Sequence, residues 1–544
     1  MAFSPSWLIA LGPLALAAIG LVPNAVANRI PVTMARLAHS AALAALAVAI
    51  ATAFAFALHG PIKTGLFGFS GIGLGLYVDA LSAVMFVLVA FVGAIVIRYS
   101  RNYLDGDPGQ GRFLKWLCLT LAAVLLLIIS GNLFQFALAW IVTSLGLHRL
   151  LVFYGERPAA VLAARKQFLA SRLSDGCLIA AMVLVYKSFG SLDYSVIFAG
   201  AEAMRAAGTI SGTIHAVAVL LVVAALLKSA QFPLHGWLTE VMVTPTPVSA
   251  LLHAGIINAG GFLVLRFADV ISLSTPSLDT LAIVGGFTAL FGSVVMLTQT
   301  SVKVSLAYST IAQMGFMMLE CGLGAFAAAL LHIVAHSLYK AHAFLSSGSV
   351  IDSARASWSP SPGGQPHPAR MAIAIAAVLA VTLAVSILFR ASLTEKPGVF
   401  ALGAIVLLGL THLIANAIDE RPNGYVIGRT LALAVVVAVA YFGLQLASER
   451  LLAGSLPPTQ ALRGPFDLAI VASVVLSFGA VTFFQSMLPR AAGEPRWQAL
   501  YVHLVNGLYV NTLANRLVLR FWPSPPPPKG TAFSYAITPE TGAR

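Results

Sequence analysis

Leu227–Lys228–Ser229–Ala230–Gln231–Phe232–Pro233–Leu234–His235–Gly236–Trp237 closes one of the most apolar runs of the chain. A lysine at membrane depth costs about 2.5–3.5 kcal/mol on insertion scales, so its presence asks for a function. Snorkelling to the nearer interface would satisfy it. Pro233, five residues on, lacks an N–H and breaks the helix, which places Lys228 at a discontinuity inside a bundle. Downstream, Thr244–Pro245–Thr246–Pro247–Val248–Ser249–Ala250–Leu251–Leu252–His253 adds two more helix-breaking prolines, Pro245 and Pro247, and a histidine. The two stretches predict broken helices around a proton-handling row in a membrane.

The composition agrees. Of 544 residues, 59% are hydrophobic and 9% charged, against about 25% charged in soluble domains. Apolar segments fall at 6–26, 36–58, 77–97, 114–130, 133–153, 173–190, 212–229, 246–267, 280–298, 303–320, 324–349, 371–389, 399–417, 426–447 and 466–487, which predicts about 15 spans. Starting outside, eight of the 32 Lys and Arg, Arg266 among them, fall in or beside outside loops, Lys228 and Lys340 lie in the membrane, and 22, including Arg165 and Lys166, fall in the loops of the inner side. That asymmetry predicts an outside N-terminus and a cytoplasmic C-terminus, and it explains the formal charge of +13 without nucleic acid. No Lys or Arg precedes Arg29, so the first span reads as a retained helix rather than a signal peptide.

The organisation expected is residues 1–110 as N-terminal transmembrane helices, 111–350 as a proton-conducting core, 351–370 as a Ser/Pro/Gly-rich cytoplasmic linker, 371–490 as plainer C-terminal spans, and 491–544 as an amphipathic helix with a Pro-rich tail. Trp497, Leu500, Tyr501, Leu504, Val505, Leu508 and Tyr509 recur at helical spacing. They read as one amphipathic helix lying on the lipid interface or on a partner subunit.

A proton path needs titratable groups at short intervals with proton affinities close to ambient pH, which lysine and histidine supply. His332, His336 and Lys340 sit at i, i+4 and i+8 and share one helix face. The face reads as a relay, or as a structural polar stripe; a metal site would want an acid or cysteine on that same face, and it has none. His253 is the expected link from Lys228 to this stripe, and His235 a further candidate beside the break. Asp175 is either a partner for Arg172 or a counter-charge that modulates Lys228. Lys303 opens another span, as an interfacial anchor or a member of the path. Cys118, Cys177 and Cys321 lack CxxC spacing and read as small hydrophobes. No Walker, GxGxxG, haem, iron–sulfur or zinc pattern occurs, so ATP hydrolysis and redox chemistry of the chain's own are not expected, and no cofactor.

On Lys228–His235, Pro245–His253, Val302–Gln313 and His332–Lys340, and more loosely Tyr154–Pro158 and Phe168–Asp175, the chain resembles the antiporter-like subunits of respiratory complex I (the L-type subunit) and of Mrp-type cation/proton antiporters. The resemblance implies inverted repeats with broken helices, Lys228 as the central proton-carrying lysine, and His253, His332, His336 and Lys340 as its connecting axis. Two departures stand out. The family's fifth span reads Trp–Glu–Gly–Val–Gly where this chain has Trp140–Ile141–Val142–Thr143–Ser144, and the second-repeat lysine has no counterpart in 371–389. In these departures the chain resembles the DabB-like membrane subunits of inorganic-carbon accumulation complexes. That implies an inner-membrane proton- or Na+-conducting subunit, not itself an enzyme. It also implies a large cytoplasmic DabA-like partner, a zinc protein resembling a β-carbonic anhydrase that hydrates CO2 to bicarbonate. The alternatives are an L-type or Mrp-type subunit, or a membrane anchor that conducts nothing.

Overall fold

The computed structural model describes residues 5–348, 368–417, 424–461, 463–491 and 493–523. Most of the expected linker and the Pro525–Pro528 run of the tail fall outside these. The fold is all-α and polytopic, with ten helices long and apolar enough to cross a membrane among the described residues. Each expected apolar segment is helical, but several are shorter, longer or interrupted.

The first half runs α1 (Leu11–Gly20), α2 (Asn24–Arg29), α3 (Pro31–His59), α4 (Ala80–Tyr103), α5 (Gln110–Ile128), α6 (Leu133–Leu151), α7 (Pro158–Phe189), α8 (Tyr194–Ala207) and α9 (Gly212–Lys228). Then come α10 (Gly236–Glu240), α11 (Thr246–Ala254), α12 (Ala259–Arg266), α13 (Ala268–Ile271), α14 (Thr275–Met296), α15 (Val302–Gly322) and α16 (Phe326–Leu345). The expected span 173–190 starts 15 residues earlier in the structure, at Pro158 in the first turn of α7. Arg165 and Lys166, counted as loop residues from the sequence, are therefore buried helix residues. The expected span 246–267 is two helices joined by the 3-10 turn Ile256–Asn258. Helices α14 and α15 touch backbone to backbone, since a Cβ on Gly285 would lie 2.5 Å from Leu319 N and 2.7 Å from Gly315 O. Small residues at such a crossing are how helices pack without a hydrophobic force between them.

Between α3 and α4 the chain forms two short antiparallel ladders, β1 (Ile62–Lys63) with β4 (Tyr77–Val78) and β2 (Phe67–Phe69) with β3 (Ile72–Leu74). The hairpin residues 62–74 lie between the expected apolar segments 36–58 and 77–97. Gly71 turns the inner hairpin at φ +79°, and a Cβ there would strike the backbone of Leu192 and Asp193. Lys63 Nζ reaches Asp193 Oδ1 at 2.9 Å and Ser195 Oγ at 2.7 Å, seating the hairpin on the α7–α8 connection. Burial pushes the Asp193 carboxyl up, but hydrogen bonds from Ser195 and Lys63 outweigh it and hold it below the ordinary carboxylate range.

On this same end, Asp79 caps α4 by accepting from Ser82 N at 2.9 Å. It also takes a two-pronged ion pair from Arg266, at 2.8 and 3.0 Å, with both side chains 2% exposed. The rings of Tyr77, Phe262 and Tyr194 stand 5.3, 5.4 and 5.7 Å from the guanidinium. Arg266, read from the sequence as bordering an outside loop, is an internal clamp between α4 and α12.

The second half comprises α17 (Pro368–Leu388), α18 (Pro397–Leu408), α19 (Thr411–Ala417), α20 (Gly424–Leu452) and α21 (Pro465–Ala491). Its apolar core around Met371, Val378 and Phe442 is shared with α14–α16, through Ala282, Phe316, Leu319 and Ala328. The amphipathic helix expected across 497–509 is instead α22 (Pro495–Val505) and α23 (Val510–Phe521), because Leu508 and Tyr509 take left-handed backbone at φ +52° and +62°.

Candidate functional site

Helix α9 stops at Lys228, and Pro233 prevents its continuation before α10. The Lys228 side chain does not snorkel. It is buried, 6% exposed, and its ammonium donates to Ser144 Oγ and to Trp140 O at 3.4 Å, lying 4.5 Å over the Trp140 ring. The oxygen comes from Ser144, one helical turn after Trp140, rather than from position 141. No carboxylate among the described residues lies within 4.0 Å of this ammonium. Asp175 pairs with Arg172 at 2.7 Å and stands within electrostatic reach of Lys228. The structure thus displays the partnership with Arg172 as direct contact and the pairing with Lys228 as the longer-range one.

The histidine stripe meets α11 and α15. Pro245 precedes α11 and Pro247 sits in its first turn. His253, in the last turn, has Nδ1 2.9 Å from Thr310 Oγ1, and its ring stacks on Phe344 at 4.3 Å. His336 Nε2 donates to the His253 carbonyl at 3.1 Å. The rings of His332 and His336 are 6.3 Å apart. Lys340 is fully buried and donates to Leu306 O at 3.2 Å. Lys303 donates to Thr246 Oγ1 at 3.1 Å, so it touches the first turn of the broken helix. The structure brings His253, His332, His336 and Lys340 together, as one cluster.

His235 stands apart from that cluster. Its fully buried ring lies among Phe232, Phe291 and Tyr308, and neither nitrogen has a hydrogen-bond partner among the described residues.

Several polar residues were missed by the sequence reading. Ser229 Oγ donates to Ile257 O at 3.0 Å, and Asn258 Nδ2 to Ser337 Oγ at 2.8 Å, so Asn258 and Ser337 lie between the Lys228 break and the histidine cluster. The expected link, His253, flanks this bridge. Glu320 Oε1 lies 2.9 Å from His332 Nδ1, and Gln313 Oε1 lies 2.7 Å from Nε2. An acid inside an apolar helix was itself a signal. The same-face search passed over it because it comes from the neighbouring helix.

On the far end of the break, Lys166 ion-pairs with Glu240 and donates to Asn511 and Asn515 at 2.7 and 2.6 Å. Both asparagines donate in turn to Glu240 Oε1, at 2.8 and 2.7 Å. Helix α23 therefore docks its polar face on the protein's own α7 and α10. Among the described residues no group of three or more His, Cys, Asp or Glu is placed to hold a metal ion.

Residues 130–359 match the family profile of the NADH:quinone oxidoreductase/Mrp antiporter transmembrane region, and 67–114 that of the N-terminus of NADH-ubiquinone oxidoreductase (complex I) chain 5. The chain is 41% identical to the probable inorganic carbon transporter subunit DabB2 of Halothiobacillus neapolitanus, over 84% of this chain and 82% of that one. It is 39% identical to the probable inorganic carbon transporter subunit DabB of Hydrogenovibrio crunogenus, over 82% and 83%. Similarity to NADH-quinone oxidoreductase subunit L of Mycobacterium tuberculosis is 37% over 52% of this chain and 44% of that one. The fold is shared with the Mrp complex of a Dietzia species, at a TM-score of 0.64 and 23% identity, covering 94% of this chain and 59% of that chain.

Proposed function

Because the chain belongs to the antiporter-like family of membrane subunits, and within it with the DabB inorganic carbon transporter subunits, we propose that it is the cation-conducting subunit of an inorganic-carbon uptake complex. In this reading, protons or Na+ cross through Lys228, His253, His332, His336 and Lys340, with Asp175 as a modulating charge and Lys303 at the margin of the path. The observation that carries it is the set of buried polar groups beside the Lys228 break and the histidine cluster: Ser229 Oγ on Ile257 O, Asn258 Nδ2 on Ser337 Oγ, and His336 Nε2 on the His253 carbonyl. Buried polar groups of this density are costly in a membrane unless used.

The hairpin end faces outward and the α23 end faces the cytoplasm of a bacterial inner membrane. There the flow drives CO2 hydration on a large DabA-like zinc protein. Ile141 in place of the family's acid, and the lack of a second-repeat lysine in 371–389, favour this reading over an L-type or Mrp-type subunit. The test is a pH-dye flux assay on proteoliposomes carrying the full chain with whatever copurifies. Lys228→Ala abolishes the flux; undiminished flux refutes the path. Copurification of quinone-oxidoreductase subunits in place of a zinc protein refutes the assignment to carbon uptake.

A further inference from the structure

The histidine cluster does not end at His332. Beyond it, between α15–α16 and the second half, lies a cavity of about 530 Å³. Its walls are mostly apolar, but its floor carries Gln313, Glu320, His332, His336 and Gln445. Gln445, from α20, is 2% exposed, and neither end of its amide has a hydrogen-bond partner among the described residues. Glu320 is 4% exposed and spends only Oε1 on His332; Oε2 has no partner either. Unpaired buried polar atoms cost several kcal/mol in hydrocarbon, whereas a polar, roomy cavity suits water. A larger cavity of about 790 Å³ beneath α22 holds no carboxylate, lysine or histidine, and offers no such floor.

We propose that Glu320 is the terminal proton carrier of the row, and that the crevice bounded by Gln445 is its hydrated vestibule, standing in for the second-repeat lysine that the chain lacks. The inference rests on the proton-path reading above. The chemistry is one carboxyl group exchanging between two sides. A carboxylate takes a proton from crevice water at Oε2 and becomes the neutral acid. A half-turn of the carboxyl presents that proton to His332 Nδ1, and transfer leaves a carboxylate and an imidazolium. Gln313 Oε1 holds the other ring N–H meanwhile, so the ring keeps its orientation.

The test compares Glu320→Gln, Glu320→Asp and Lys228→Ala in the proteoliposome flux assay. We expect Glu320→Gln to lower proton flux at least tenfold and Glu320→Asp to restore most of it. Wild-type flux in Glu320→Gln with none in Lys228→Ala overturns this inference and leaves the path standing. Wild-type flux in both overturns the path and the inference with it. A second measurement does not depend on how the Glu320 variants fold. In a chain with Cys118, Cys177 and Cys321 replaced by alanine, Ala335→Cys on the crevice wall is exposed to a charged, membrane-impermeant methanethiosulfonate. Labelling from the hairpin side supports a hydrated vestibule; labelling by a lipid-soluble maleimide alone overturns it.

Discussion

Asp79→Asn tests the clamp that joins α4 to α12. In the native protein the Arg266 guanidinium spends two donors on Asp79 at 2.8 and 3.0 Å and another on Ser82 Oγ, out of contact with solvent. Removing one partner of such a pair costs about 3–5 kcal/mol, because the remaining charge stays buried without its counter-charge. Asparagine keeps an oxygen for one guanidinium contact and remains a good N-cap for Ser82 N, so the lower figure, about 3 kcal/mol, applies. With an unfolding entropy of roughly 2.1 cal/mol/K per residue, a chain of this length converts that to a drop of about 3 °C in midpoint. The assay is a thermal melt of the detergent-purified protein, read by intrinsic fluorescence. The double variant Asp79→Leu/Arg266→Met removes both charges at similar volume and regains most of the loss. A melt of Asp79→Asn within about 1 °C of wild type, or a double variant no better than the single, refutes the assignment of stability to this pair.

Two further outcomes follow from the same contacts. Replacing both Asn511 and Asn515 by leucine strips Lys166 and Glu240 of their amide partners and releases α23; limited proteolysis then cuts the Gly507–Tyr509 turn faster than in wild type, and equal cutting rates would exclude the docking. Asp193 sits below the ordinary carboxylate range, so its contribution is fully present above the unfolded value near pH 4 and is lost as pH falls through the folded one. Asp193→Asn should therefore be less stable than wild type at neutral pH and indistinguishable from it well below pH 3, as read by melts across that range.

Apolar runs located the helices, because length and hydropathy alone decide what crosses a bilayer. Interruptions were legible where proline marks them, as at Pro233. The break at Gly255–Asn258 carries no proline, and its apolar flanks read as one span. The Lys228 site was legible as a cost; its partner was not, since Ser144 looks like any small helix residue until α6 and α9 are packed. His332, His336 and Lys340 share a face that periodicity reveals. Glu320 joins them only across the turn at Gly324, which no single-helix pattern reports. Arg266 failed for the opposite reason: charge counting assigns a basic residue at a span's end to a loop, and only Asp79, 187 residues away, makes it a core group. The docking of α23 rests on two asparagines four residues apart, a spacing visible in the sequence but without a partner there.

The contact between α23 and the α7–α10 region also bears on how the protein is made. Lys166 meets its asparagine partners 345 and 349 residues later in the chain. On a ribosome adding about 5–20 residues per second, that interval is on the order of 20–70 s. Once Glu240 has been made, Lys166 and Glu240 wait for the rest of that interval without their asparagine partners. A nascent chain, or one truncated before Val510, thus holds the lysine-bearing half of the bundle without its cover. Completion of the second half and sealing of the first are one event in biogenesis.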